Sequence, residues 1–474
     1  MSNSLRSTDA ATRSGGAPVP PQDPAGRRRA FLGATTGHLI EWYDYGIYGF
    51  LAVYIGTAFF DSDDPAINLL SSFAVFALSF FVRPLGGLFF GPLADKIGRK
   101  QTLLIVLVLM AGSTFAIGLL PTSQSIGWLA PVLLILIRCV QGFSAGGEIG
   151  TITSFIAEYA GPGRRGYSTS WLMVTAVLGL VLGGLVANSL IFLLGSEAMH
   201  NGGWRIPFLV AGPLGLIALY IRMKLEDSPE FRQLVLQGTT SKTPLREVMH
   251  WKRSMALVFF IIALHSSMFY LVLTYASTFF ANTLSFDSGT TLLAVFSGSV
   301  LSAIVMPLGG TFTDRYGRKP FLLVIGILGT GALYWFFQAA LVGTPAAVIP
   351  PFLAVAILFG LYASSTYALM TELLPTHIRS TGIAVAYNLP VAIFGGSAPM
   401  IATGLINATG DISSPWLFFV GTGIASIIAL LILRPSDFHR SSDASERALT
   451  GQVQVVPERG RARRTAAARN GAGR

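Results

Sequence analysis

The sequence predicts an all-α membrane protein of twelve transmembrane helices, arranged as two pseudo-symmetric halves of six. Three observations carry that expectation. Of 474 residues, 52% are hydrophobic and only 12% are charged, where a typical soluble domain has roughly 25% charged residues. Twelve apolar runs reach the about 20 residues needed to cross a hydrocarbon core of about 30 Å. One pattern is also written twice: GPLADKIGRK at Gly91–Lys100 returns as GGTFTDRYGRK at Gly309–Lys319, so Asp95 and Arg99 match Asp314 and Arg318 at a constant offset of 219 residues. Downstream, EYAGPGRRG at Glu158–Gly166 is echoed by ELLPTHIRSTG at Glu372–Gly382, pairing Glu158 with Glu372 and Arg165 with Arg379. Duplicated halves in a membrane chain point to a transporter whose site lies between them.

Taken in order, residues 1–30 are rich in Ser, Ala, Pro and Gly and read as a disordered tail, with Arg27, Arg28 and Arg29 anchoring the first span. The Arg28–Leu32 segment resembles a twin-arginine export signal, but Glu41 and Asp44 interrupt the apolar stretch and no small-residue cleavage site follows. Apolar runs begin near residues 31, 68, 101, 129, 167 and 204, filling 31–225, and again near 253, 289, 320, 347, 380 and 414, filling 253–434. Between them, 226–252 is polar, holds Pro229 and Pro244, and reads as a linker. Residues 435–474 end in an Arg/Ala/Gly run and read as a second disordered tail. The glycine runs Gly142–Gly150 and Gly179–Gly184 follow no strand, which favours close helix packing over a phosphate loop.

The net charge of +10 excludes less than its distribution does. Thirty of the 33 Lys and Arg residues fall on one side of the expected membrane, while the opposite loops at Asp61–Ile67 and Pro121–Gly127 hold none. That bias places both tails and the linker in the cytoplasm and makes anionic lipid, not nucleic acid, the partner of the basic residues. Nearly all the mass is membrane-embedded, so no catalytic domain fits. Cys139 is the only cysteine, which excludes an intrachain disulfide and a cysteine metal cluster.

An ionisable side chain near the bilayer centre costs at least roughly 2.5–3.5 kcal/mol, so each needs a partner or a function. Glu41 and Asp44 lie about 15–20 Å into the first span at 1.5 Å per residue, on one face with Tyr45 and Tyr48. Two neighbouring carboxylates in a low dielectric suit a reversible proton carrier; the alternative is that they pair with arginines and fix helix packing. Arg138 is their natural partner, and Glu148, nearly three turns along the same helix, is a second proton candidate or a structural carboxylate. Arg83, before a Pro-Gly-Gly kink, offers bidentate recognition of a carboxylate or an internal ion pair; Arg205, at an outer edge, reads as an interfacial anchor. Gln141, His265, Tyr275, Tyr387 and Asn388 are polar and midspan, each a substrate contact or a helix–helix hydrogen bond. Pro390 and the Gly395–Gly396 pair interrupt the helix of Tyr387 and Asn388 and free backbone groups to line a cavity.

The doubled GxxxDxxGRK loop resembles the signature of the major facilitator superfamily. More narrowly, GHLIEWYDYGIYGFLA (Gly37–Ala52), FFVRPLGGLFFGPLADKIGRK (Phe80–Lys100), RCVQGFSAGGE (Arg138–Glu148), WRIPF (Trp204–Phe208) and AYNLPVAIFGGSAPMIAT (Ala386–Thr403) are similar to the metabolite:proton symporter family. The resemblance implies a bacterial inner-membrane symporter, working as a monomer with no cofactor beyond the proton gradient. It implies import of a small polar metabolite, an organic acid of the 2-oxoglutarate, citrate or shikimate type, or alternatively proline or betaine. Efflux is disfavoured because Gly179–Ala187 lacks the Gly-Pro of drug antiporters, and a transporter-like receptor is disfavoured by the intact charged residues of both halves. Proton coupling then falls to Glu41, Asp44, Arg138 and Glu148, and substrate contact to Arg83, Tyr45, Tyr48, Gln141, Tyr275, Tyr387 and Asn388. A cytoplasmic gate is expected as two clusters, one per half: Asp95, Arg99, Glu158 and Arg165, and Asp314, Arg318, Glu372 and Arg379.

Overall fold

The computed structural model of the chain describes residues 24–60, 62–161 and 163–439. Most of both expected tails lies outside them, and the inner edge of each needs correction. Residues 24–30 are already helical, with Pro24 opening a helix whose fixed φ it suits, and Ala30 is buried. At the other end, Pro435–Asp437 form a 3-10 turn held by Arg253 on Asp437 at 2.9 Å, and the His439 N–H donates to the Glu372 carbonyl at 2.6 Å.

Twelve helical rods follow at the expected places. The first half comprises Pro24–Phe59, Pro65–Ile97, Arg99–Leu119, Leu129–Tyr159, Arg165–Ala198 and Arg205–Met223. The second comprises Lys252–Tyr270 continued by π-helical turns to Thr283, then Ser288–Tyr316, Arg318–Ala340, Pro345–Glu372, a broken span from Arg379 to Thr409, and Trp416–Ile432. Among the described residues ten segments are long and apolar enough to cross a membrane; the acidic first span and the shorter last complete the set. The eleventh span breaks where Pro390 and two glycines sit, becoming π-helical over Val391–Gly396. The seventh does the same at Leu271–Tyr275. Wider turns of this kind gather at functional positions in helices.

Glycine sets how closely the rods approach. A Cβ on Gly86 would stand 1.8 Å from the Phe143 carbonyl oxygen, and one on Gly146 would stand 1.9 Å from that of Arg83, so the second and fourth spans touch backbone to backbone. Gly46, Gly179 and Gly183 do the same for the first and fifth spans, each within 2.5 Å of a carbonyl across the contact. Without a hydrophobic driving force between helices in lipid, this contact and its dispersion energy hold the half together. The linker is ordered too: Ser228 caps the helix Pro229–Leu236 by accepting from the Phe231 N–H at 3.3 Å.

Gly146→Val has no relaxation path against a facing backbone. We expect it to lower stability in detergent by about 1–3 kcal/mol or more, read as a loss of monodisperse protein on heating, while Gly331→Val, with open space around it, leaves the melting curve unchanged.

Candidate functional site

Three buried acid–arginine pairs cross the first half at midspan. Glu41 takes Arg83 at 3.0 Å, Asp44 takes Arg138 at 2.9 Å, and Glu148 takes Arg222 at 2.8 Å. The expectation that Arg138 serves both first-span carboxylates is corrected. The two carboxylates lie three residues apart, about 300° around the helix, and Arg83 and Arg138 come from different neighbouring spans, so each acid meets its own arginine.

The pairs differ in their surroundings. Arg138 is enclosed: its guanidinium lies 3.5 Å from the centre of the Tyr48 ring, it donates to Gln141, and Gln141 in turn donates to Thr114 at 2.8 Å. Tyr48 itself donates to the Ser72 carbonyl at 3.1 Å. Tyr48 and Gln141, expected at the substrate, therefore orient Arg138 instead. Arg222 completes the Glu148 pair by donating to the carbonyls of Gly33, Ala34 and Leu103 at 3.0–3.2 Å. Its path runs where Gly37 has no side chain, since a Cβ there would fall 2.1 Å from the guanidinium.

Arg83 is the one midspan arginine facing the other half. Its guanidinium lies 4.8 Å from the ring centres of both Tyr45 and Phe80 and 6.0 Å from that of Trp42. These rings meet the seventh span: Trp42 lies 5.0 Å from Phe269, and Phe80 lies 5.8 Å from Tyr270. Behind them Tyr367 and Tyr387 share a hydroxyl hydrogen bond of 3.1 Å. Of the residues expected at the substrate, Arg83 and Tyr45 lie against one another, and Tyr387 pairs with Tyr367 in the second half. Asn388 instead ties the halves, donating to the Gly146 carbonyl at 2.7 Å, and Tyr275 packs farther along the seventh span against Phe279. Arg205 donates to the Leu120 carbonyl at 2.9 Å, apart from this centre.

The basic face closes differently from the expected pair of separate clusters. Asp95 accepts from the Ser380 and Thr381 N–H groups at 3.3 and 2.9 Å, and from the Thr381 hydroxyl at 2.7 Å. Asp314 accepts from the Gly166 and Tyr167 N–H groups, both at 2.8 Å. Each repeated aspartate therefore caps the N-terminus of a span in the opposite half, where unpaired N–H groups and the helix dipole favour an anion. Arg379 also crosses, pairing with Glu158 at 2.9 Å and with Glu230 at 2.7 Å, while Arg165 turns to Glu230 at 2.7 Å. Only Arg318 stays at home, on Asp314 at 2.7 Å and Glu372 at 3.1 Å. Arg99 joins Asp95 and Glu158 and donates to the Thr376 carbonyl at 2.7 Å, with the Phe231 ring 4.7 Å from its guanidinium.

The residues not expected from the sequence are Arg222, Glu230 and the rings of Trp42, Phe80, Phe269 and Tyr270. Arg222 continues the buried stripe Ala211, Gly215, Ala218 at helical spacing, a signal readable in the sequence. Burial alone would raise the Glu230 carboxyl, but the Arg379 and Arg165 guanidiniums outweigh it and hold the group at about 2.

The sequence pattern of the Major Facilitator Superfamily matches residues 34–390. The proline/betaine transporter of Salmonella typhimurium is 35% identical over 416 residues, covering 85% of this chain and 82% of that protein. The citrate-proton symporter of Klebsiella pneumoniae is 33% identical over 429 residues, covering 88% and 94%. The crystallised proton:xylose symporter bound to 6-bromo-6-deoxy-D-glucose superposes with a TM-score of 0.74 at 17% identity, over 86% of this chain and 95% of that one, a likeness of fold.

Two outcomes follow for the basic face. A carboxylate depressed from 4.5 to about 2 contributes stability that is present above about pH 4.5 and is lost as pH falls towards 2. Wild-type melting temperature should drop more steeply across that window than that of Glu230→Gln. Asp95→Asn keeps the shape of the cap but removes its charge, and should abolish uptake while leaving membrane insertion intact; wild-type rates in that variant would contradict a gating role.

Proposed function

Because the chain belongs to the Major Facilitator Superfamily, and within it to the metabolite:proton symporters, we propose that it imports a small zwitterionic solute of the proline or betaine class together with protons across a bacterial inner membrane. The observation that carries this reading is the Glu41–Arg83 pair, buried among aromatic rings of both halves. As it stands the pair is neutral. A carboxylate-bearing solute arriving at Arg83 would set two carboxylates against one guanidinium in a medium of low dielectric, at a cost of several kcal/mol. A proton on Glu41 removes that conflict and frees Arg83 for bidentate contact. Proton and solute then bind better together than apart, which is the reciprocal coupling that symport requires.

The aromatic walls favour a zwitterion over a polyanion. The rings of Trp42, Tyr45, Phe80, Phe269 and Tyr270, which pack on one another, would suit an ammonium group, and among the described residues Arg83 is the guanidinium beside them. The organic acid expected from sequence is the second reading, favoured by the likeness to a citrate-proton symporter. A tricarboxylate, however, would bring three charges to one cation. The Asp44–Arg138 and Glu148–Arg222 pairs, with both acids enclosed, supply structural charge balance and further sites for proton transfer.

The basic face, placed in the cytoplasm by its charge, would be shut in this conformation by the crossed aspartate caps. Rocking the halves apart would strip Asp95 and Asp314 of those N–H partners, so closure and opening are two discrete arrangements and not a continuum. Both termini would lie on that face, and the carrier would act as a monomer in lipid.

Proteoliposome uptake of labelled proline, betaine, citrate and shikimate, with and without an imposed pH gradient, tests the assignment. Zwitterions should accumulate only with the gradient. Glu41→Gln, which resembles the protonated acid, should keep solute exchange but lose accumulation, and Arg83→Lys should weaken the apparent affinity for every carboxylate at least tenfold, about 1.4 kcal/mol. Gradient-driven accumulation by Glu41→Gln at wild-type level would overturn the coupling scheme.

A further inference from the structure

Two buried histidines share one local arrangement and differ in one atom. In the first half, the His38 Nδ1 lies 3.1 Å from the Thr175 hydroxyl, whose proton goes to the Leu172 carbonyl at 2.9 Å. The threonine has only one proton to give, so Nδ1 is the donor and Nε2 carries the lone pair. That lone pair is satisfied, because the Trp42 indole N–H donates to it at 3.2 Å. In the second half, the His265 Nδ1 lies 3.1 Å from the Thr366 hydroxyl, whose proton goes to the Ala363 carbonyl at 3.0 Å. With His265 assigned the same tautomer as His38, its Nε2 is a bare acceptor. Among the described residues nothing donates to it, although the residue is only 1% exposed.

A buried acceptor without a donor costs about 1–3 kcal/mol, so it calls for an explanation. Its position supplies one. His265 lies one helical turn from Phe269, on the same face of the seventh span, and Phe269 meets Trp42 across the boundary between halves. The imidazole stands 5.6 Å from the Tyr367 ring and 6.3 Å from that of Tyr387. Its Nδ1 edge is turned to the tenth span, and the opposite edge carries the free nitrogen. The Tyr270 hydroxyl, also buried and without a partner, lies on the next turn.

We propose that His265 is a specificity-determining residue whose Nε2 accepts an N–H from the amino group of the solute, so that the carrier prefers zwitterions bearing at least one N–H, as proline does, over fully N-methylated ones. The inference rests on the zwitterion reading above and narrows it. Arg83 takes the carboxylate from the first half, the rings surround the ammonium, and His265 counts its protons from the second half. A hydrogen-bond acceptor discriminates strongly because a solute lacking the N–H leaves the acceptor buried and unpaired.

The test is gradient-driven uptake by the full chain in proteoliposomes of proline and of the series glycine, N-methylglycine, N,N-dimethylglycine and N,N,N-trimethylglycine, in wild type, His265→Gln and His265→Phe. In wild type, KM should rise at least tenfold at the last methyl, where the final N–H is lost. His265→Phe should erase that step by weakening the N–H solutes alone, and His265→Gln, which keeps an acceptor, should restore part of it. A wild-type KM that is flat or falls at the last methyl overturns the proposal without need of any variant. So does an equal loss for all five solutes in His265→Phe with a normal amount of folded protein. If no zwitterion is taken up while citrate or shikimate is, the zwitterion reading itself fails and takes this inference with it.

Discussion

The structure depends on the cost of leaving a charge unpaired in a bilayer. Glu41, Asp44 and Glu148 enter the first half at midspan, and each is met by an arginine from another helix at 3.0 Å or less. The penalty for breaking any one pair is several kcal/mol, which makes the relative heights and rotations of the first, second, fourth and sixth spans mutually dependent. Glycine is the other side of the same requirement. Arg222 reaches Glu148 through the space that Gly37 leaves open, and Arg83 is held at the depth of Glu41 by the backbone contact at Gly146.

The same currency operates at the basic face, but there it joins the halves instead of one half to itself. A duplicated loop would most simply fold back on its own half, and the matching Asp95 and Asp314 suggested that it did. Helix N-termini offer a better partner than a neighbouring arginine, because two backbone N–H groups are already pointed and cost no side-chain entropy to hold. The pseudo-twofold relation then gives two crossed caps for one duplicated residue. Linker residues complete the closure: Glu230 links Arg165 of the first half to Arg379 of the second, and Ser228 donates to Glu158.

Much of this was legible in the sequence, and what was not has a physical reason. The span count, the two halves, the broken eleventh span and the need of Glu41, Asp44, Arg83, Arg138 and Glu148 for buried partners all follow from hydropathy, repetition and the rarity of charge in lipid. Partner choice does not follow, because it depends on rotation about helix axes that are nearly uniformly apolar, so that periodicity gives no facing. That is why Tyr48 and Gln141 were assigned to the solute when they brace Arg138. It is also why the crossed gate was missed: sequence repetition reports what is equivalent, and equivalence does not say which half supplies the partner.

The halves are not equivalent in chemistry, and the difference divides the labour of transport. All three midspan ion pairs belong to the first half, while the described interior of the second half presents His265, Tyr270, Tyr367 and Tyr387, neutral groups with hydrogen-bonding capacity to spare. Charge placed in one half keeps both partners of each pair within the same half, so movement of the halves does not by itself separate them. Neutral donors and acceptors in the other half can be exchanged for one another without disturbing those pairs. On the proposed scheme, a carrier built this way would change its solute through substitutions in the seventh, tenth and eleventh spans while coupling to protons stayed with Glu41 and Arg83. Relatives at about one-third identity named for solutes as different as betaine and citrate are what such a division of roles would produce.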